Sequence, residues 1–205
     1  MSRVTALIDA NNFYASCEQS LDPALLGRPV VVLSNNDGCI VARSAEARAL
    51  GIAMGTPYFK AKQDLEAQGV VVRSSNYALY ADMSQRLMSL LESQVEELEV
   101  YSIDEAFARI SRPADGDLRP WGRRMRALAR RNLGLPIAIG LGASKGQAKL
   151  ANRLAKVEAS HAGLFDLGDC GDGDRWLETI AIEDVWGIGR KLARWCRLRG
   201  VRNAR

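Results

Sequence analysis

Asp9, Asp104 and Glu105 are the side chains whose positions in this chain point most directly to chemistry. Asp9 follows the apolar run VTALI (Val4 to Ile8), and Asp104–Glu105 sits between two short runs, VYSI and AFARI. Carboxylates arriving from different elements supply the oxygen ligands that magnesium prefers, and two such cations can clamp the attacking and leaving oxygens of a phosphoryl transfer. Brought together with no cation between them, three carboxylates repel one another and hold their protons more tightly. Acidic residues at strand ends and in turns are also ordinary solvated features, so the pattern alone leaves both readings open. Side chains alternate along a strand, so Asp104 and Glu105 serve one site only if the chain turns there.

The elements that must position them are readable in outline. VTALI and PVVVL (Pro29 to Leu33) predict buried strands, and GVVVRS around Val71 predicts a third. SNNDG (Ser34 to Gly38) has the composition of a turn, and SAEARALG (Ser44 to Gly51) that of a short helix with a serine start and a glycine stop. Apolar residues Tyr80, Met83, Leu87, Leu90, Leu91, Val95 and Leu98 recur at helical spacing and predict one long helix. VYSI (Val100 to Ile103) and AFARI (Ala106 to Ile110) predict a hairpin with the two carboxylates at its tip. A basic helix follows around Trp121 to Asn132, then a strand PIAIGLG (Pro136 to Gly142) and a helix from Lys145 to Val157. The alternation of strands and helices argues for an α/β or α+β fold, with a mixed, antiparallel-containing sheet backed by helices. Beyond Leu167 the run GDCGDGD reads as a linker, followed by two short helical segments joined by WGIG.

Composition narrows the classes. With 205 residues and 47% hydrophobic content the chain can bury a substantial core. No run approaches the roughly 20 apolar residues of a membrane span, and an acidic residue comes too early for a signal peptide, so a cytoplasmic protein is expected. The scattered cysteines Cys17, Cys39, Cys170 and Cys196 lack zinc-site spacing and read as reduced thiols. His161 is the only histidine and reads as structural, which leaves little room for histidine-based catalysis. Charge is segregated: eight basic against fourteen acidic residues through Glu105, then twenty against ten. An acidic half that gathers cations beside a basic half that grips a polyanion fits that division.

The words around the carboxylates carry a resemblance. DANNFYASCE (Asp9 to Glu18), VVVLSNNDGCIVARSAEAR (Val30 to Arg48), SSNYALYADMS (Ser74 to Ser84) and YSIDEAF (Tyr101 to Phe107) resemble, in order and spacing, the Y-family of DNA polymerases, with NNDGC and YSIDEAF closest to its UmuC-type branch. The resemblance covers the whole chain. It implies a palm (1–10 and 79–167), an inserted fingers domain (11–78), and a partial thumb (168–205) with a helix-hairpin-helix, the little finger being absent.

The resemblance also implies roles. Asp9, Asp104 and Glu105 correspond to the catalytic carboxylates that hold two Mg2+ ions, with the Ala10 carbonyl completing the second site. Asn12, Phe13 and Tyr14 line the nucleotide, Tyr14 matching the aromatic gate that rejects a 2′-hydroxyl; Phe13 reads equally well as a core residue. Arg48 and Lys156 match the triphosphate-binding cations, one gripping oxygens bidentately and the other acting as a point charge. Many relatives carry an Asn-Tyr pair before that arginine helix where this chain has Ser44 and Ala45, as UmuC-type sequences do. Seven cations and no acid lie between Arg190 and Arg205. There Gly187, Gly189, Arg190, Lys191 and Arg194 are the expected contacts to backbone phosphate, which need read no sequence.

The implied function is error-prone translesion synthesis in the SOS response to DNA damage, with primer-template DNA and dNTP as substrates. A UmuD-type subunit and RecA are implied partners, a sliding clamp only through the missing C-terminal region. Three other readings compete: a truncated, catalytically idle DNA-binding fragment, a polymerase-like accessory protein, and a nucleotidyl cyclase on a similar fold.

Overall fold

The computed structural model describes residues 3–157, 161–169 and 171–205; Cys170 lies outside them. The chain divides into two compact units. One takes the residues up to Asp9, Leu91–Met125 and Ala138–Arg205; the other takes Ala10–Leu90 and Arg126–Ile137.

The first unit is built on a five-stranded sheet. Its strands are β1 (Arg3–Ala10), β5 (Glu97–Val100), β6 (Glu105–Ser111), β7 (Ile137–Gly142) and β8 (Leu164–Asp166), in the order β5-β6-β1-β7-β8. β6 runs antiparallel to both β1 and β5, and β7 runs parallel to β8. β1 is buried from Val4 to Ala10 and β7 throughout, as expected of interior strands covered on both faces.

Helix α6 (Lys145–Val157) packs on this sheet through small residues: Ala148, Ala151 and Ala155 are buried, and so is Asn152. The Asn152 amide donates to Leu7 O (3.3 Å) and Ala138 O (3.0 Å), carbonyls of the neighbouring strands β1 and β7. Gly140 makes the approach possible, since a Cβ there would lie 2.0 Å from Asn152 N and 2.3 Å from Ala148 O, both main-chain atoms. A backbone clash cannot be relieved by rotating a side chain. Gly140→Ala is therefore expected to cost about 3 kcal/mol, the upper end for forcing extra atoms into a packed interior, read as a lowered urea midpoint.

The second unit carries a three-stranded sheet, β2 (Val30–Leu33), β3 (Ile40–Arg43) and β4 (Val71–Arg73), in the order β3-β2-β4, with β2–β3 antiparallel and β2–β4 parallel. The predicted turn joins β2 to β3: Ser34 Oγ accepts from Gly38 N (3.1 Å) and Cys39 N (3.2 Å), and Asp37 takes φ 53°. Helices α1 (Phe13–Leu21), α2 (Ala45–Ala49) and α3 (Tyr58–Ala67) accompany it. Val31, Leu33, Ile40, Ala47, Leu65 and Val70 form its core. Ser44 is buried, caps α2 by accepting from Ala47 N, and accepts from Val30 N at 3.1 Å. Ser44 thus fixes the start of α2 to the sheet.

Helix α4 (Tyr77–Glu92) buries Tyr80, Met83, Leu87 and Leu91 along one side. The long helix expected as far as Leu98 ends at Glu92. Beyond it the pattern changes period: in Glu97-Leu98-Glu99-Val100 apolar and acidic residues alternate, and the segment pairs as β5 with Ala106–Arg109 of β6. The basic helix is α5 (Arg119–Leu133). After Asp172, which caps α7 (Gly173–Glu178), come a 3-10 turn at Ile182–Asp184 and α8 (Arg190–Leu198). His161 packs on the rings of Phe165 and Trp176 at 4.5 and 5.1 Å. Cys17 and Cys196 are buried and Cys39 partly exposed. Among the described residues no helix is long and apolar enough to cross a membrane.

Candidate active site

Strand register brings two of the three carboxylates together. Asp9, at the end of β1, and Glu105, which opens β6, are cross-strand partners, and partners across a ladder share a face. The expected strand VYSI is instead mostly turn: β5 stops at Val100, and the amides of Tyr101 and Ser102 both donate to Glu105 O at 3.0 Å. The chain thus turns just ahead of Glu105, and Asp104 belongs to the turn. There Ser102 Oγ donates to Asp104 Oδ1 (2.7 Å) and accepts from Glu105 N (3.1 Å).

Each paired carboxylate meets a lysine of α6. Lys156 Nζ lies 2.6 Å from Asp9 Oδ2, and Lys149 Nζ 3.0 Å from Glu105 Oε2. The two lysines are seven residues apart, two helical turns, and therefore on one face of α6 with Asn152 between them. Burial pushes the Asp9 carboxyl up to about 7; Lys156 opposes that shift, and a hydrogen bond with Glu105 together with its like charge adds to it. A divalent cation must displace that proton, so Mn2+ affinity is expected to fall as pH drops below about 7 and to level off above it. Titrations of Mn2+ at pH 5.5, 6.5 and 8 measure this.

Among the described residues no group of three or more His, Cys, Asp or Glu converges closely enough to hold a metal ion. The donor chemistry nonetheless fits a hard cation. Asp9 and Glu105 are oxygen donors in contact with each other, and each is paired with a lysine whose charge a cation would replace. Asp104, bound to Ser102, lies one residue from Glu105. Ala10 is buried as the last residue of β1.

The other predicted residues stand as follows. Asn12 caps α1 in a left-handed conformation (φ 53°), Phe13 is buried, and Tyr14 is half-buried. The Tyr14 ring stacks on Tyr80 at 4.2 Å and meets the edge of Tyr77 at 6.1 Å, while Tyr80 donates to Glu18 Oε1 at 2.8 Å. Arg48 is exposed in the last turn of α2. Gly187 takes φ 87°, Gly189 caps α8, and Arg190, Lys191 and Arg194 are all exposed. The buried face of α8, Ala193 and Cys196, packs with Ile182, Val185 and Ile188.

Sequence reasoning missed Lys149, Asn152, Ser102 and the contacts of Trp186. One signal was available for the first two: Lys149, Asn152 and Lys156 recur at helical spacing, in a predicted helix half of whose other residues are alanine or leucine.

Comparisons with known proteins agree with this architecture. The chain is 48% identical to Protein UmuC of Salmonella typhimurium over 201 residues, covering 97% of this chain and 48% of that protein. It is 34% identical to DNA polymerase IV of Corynebacterium diphtheriae, covering 92% of this chain and 42% of that one. It thus spans about half the length of the curated relatives it matches. Among solved structures, the insertion ternary complex of Dbh DNA polymerase superposes with a TM-score of 0.82 at 25% identity, covering 98% of this chain and 58% of that one. DinB from Sulfolobus solfataricus superposes with a TM-score of 0.79, also at 25% identity and with the same coverage. Residues 8–153, which carry all three carboxylates, match the description of one family: the chain belongs to the impB/mucB/samB family.

Proposed function

We infer that this chain is the catalytic half of a Y-family, UmuC-like DNA polymerase that extends primers across damaged template bases. The single observation carrying the reading is the cross-strand pairing of Asp9 with Glu105, with Asp104 one residue away in a turn. In this reading the palm is 1–10 and 79–167, the fingers 11–78 and the partial thumb 168–205.

Asp9, Asp104, Glu105 and the Ala10 carbonyl would hold two Mg2+ ions, whose charge would neutralise the attacking and leaving oxygens. The protein's part is to position and to compensate charge. Lys156 and Lys149 balance the charge of Asp9 and Glu105, and with cations on those carboxylates Lys156 would be released to meet the triphosphate as a point charge. Arg48, exposed in α2, offers the bidentate partner. Tyr14, stacked on the buried ring of Tyr80, is a rigid plate for the sugar. A UmuD-type subunit and RecA, in an SOS context in the cytoplasm, are the partners and setting this reading proposes by analogy with UmuC-type relatives.

The grip on DNA is assigned to Gly187, Gly189, Arg190, Lys191 and Arg194. If these cations make the main contacts, replacing Arg190, Lys191 and Arg194 with glutamine lowers affinity for unrelated primer-templates alike and reduces the log–log salt slope by about 2 to 3. Titrations at several salt concentrations measure both. An unchanged slope would move the DNA path to the arginines of α5.

Pyrophosphate release tests the function as a whole. It is expected to require dNTP, primer-template and Mg2+ together. Release from nucleotide alone would favour a cyclase, and DNA binding without release a catalytically idle fragment.

A further inference from the structure

Trp186 opens the hairpin that precedes α8, and its ring lies against Tyr101, Phe107 and the Lys149 ammonium. It lies 5.7 Å from the Tyr101 ring and 6.1 Å from Phe107, and Tyr101 lies 5.5 Å from Phe107. The Lys149 ammonium sits over two of these rings, 4.5 Å from the Tyr101 centroid and 5.3 Å from that of Trp186. The same ammonium is the one paired with Glu105 at 3.0 Å. Both ends of that ion pair are shielded, with side-chain exposures of 17% and 20%. A cation held by ring faces and a carboxylate together, away from water, is held more firmly than by either alone.

The hairpin is fastened to the rest of its unit at further points as well. Arg153 of α6 pairs with Asp184 at 2.5 Å. Val185 and Ile188, on either side of the Trp186–Gly187 pair, pack in the small core with Ala193 and Cys196 of α8, and Val185 also packs against the cluster that holds Leu150, Leu154 and Ile180. Through these neighbours Trp186 is joined to α8, which carries the exposed cations Arg190 and Lys191.

We propose that Trp186 and Tyr101 form an aromatic clasp that holds Lys149 on Glu105, and that this clasp couples the position of the α8 hairpin to divalent-cation binding at the carboxylates. The proposal rests on the polymerase reading for the identity of the site and deepens it by naming its regulation. With the hairpin docked, Lys149 competes with a cation for Glu105. When duplex phosphate draws the hairpin away, the Trp186 face leaves, the ammonium loses part of its seat, and Glu105 turns to the cation. By linkage, a cation at Glu105 loosens the hairpin by the same factor. Trp186 is a positioning residue here, acting through Lys149.

Mn2+ binding to the whole chain, followed by the EPR signal of free Mn2+ without nucleotide or DNA, tests this. Trp186→Ala is expected to tighten Mn2+ binding about fivefold, the scale of one lost cation–π contact, and Trp186→Phe, which keeps a ring face, to stay within about twofold of wild type. Lys149→Met is expected to tighten binding at least as much as Trp186→Ala. Adding Trp186→Ala to Lys149→Met should then change nothing further, because the tryptophan acts through the lysine. Unchanged affinity in Trp186→Ala, or an equal effect of that substitution with and without Lys149, overturns the clasp. Glu105→Gln separates the two levels of failure. If wild type binds Mn2+ in a Glu105-dependent way and Trp186→Ala does not alter it, the clasp alone is wrong. If no binding depends on Glu105, the carboxylate site falls and the clasp with it.

Discussion

Asp104→Asn is expected to reduce nucleotide addition about a thousandfold while leaving affinity for primer-template DNA within about twofold of wild type. An amide keeps the shape of the carboxylate and can still accept from Ser102, so the turn ahead of Glu105 should survive. What is lost is a charged oxygen ligand. Metal ions contribute several kcal/mol of charge stabilisation in such transfers, and about 4 kcal/mol corresponds to a thousandfold. DNA affinity is assigned to the cations near α8, and binding measured without divalent cation keeps it apart from metal ligation at the carboxylates, so the two readouts should separate. Single-turnover extension and filter binding on one preparation measure them. Extension within tenfold of wild type would remove Asp104 from the metal-binding set.

Tyr14→Ala is expected to change which sugar is accepted. The Tyr14 ring is held flat against Tyr80, whose own hydroxyl is tied to Glu18, so it has little freedom to yield to one more oxygen. Forcing extra atoms into a filled space costs about 1–3 kcal/mol, and removing the plate should raise the rNTP-to-dNTP ratio roughly ten- to a hundredfold. Comparing incorporation of matched rNTP and dNTP measures this. An unchanged ratio would make Tyr14 a packing residue of the Tyr77–Tyr80 cluster.

Much of the fold was legible in the sequence because its central elements carry strong patterns. β1, β2 and β7 are near-continuous apolar runs, and α6 was bounded at Lys145 and Val157 because its alanines and leucines fall on one side. Failures came where the pattern is weak or ambiguous. Val95 and Leu98 extend the helical spacing of α4 by chance, and only pairing with β6 decides for a strand at Glu97–Val100. α1 buries Phe13, Ala15, Ser16 and Cys17, mostly small side chains with little amphipathic contrast, and α3 buries only Leu65. β3 became a strand through its partner β2.

The site divides in the same way. Asp9, Asp104 and Glu105 stood out because they interrupt apolar runs, and the requirement for a turn at Asp104–Glu105 followed from strand alternation alone. Which cation meets which carboxylate depends on how α6 lies on the sheet. That is set by Gly140 and Asn152, contacts between residues remote in sequence. The Trp186 face over Lys149 is another such contact, joining residues 37 positions apart.

Templated choice of nucleotide is the most direct test of the central claim, that these carboxylates serve DNA-directed synthesis. Each of the four dNTPs is offered singly to this chain, in Mg2+, on primer-templates that differ only in the first unpaired base. The account predicts that the labelled primer grows by one nucleotide, fastest with the complementary dNTP on every template, and that growth disappears in Asp104→Asn. No growth on any template, or growth indifferent to the template base, would contradict it.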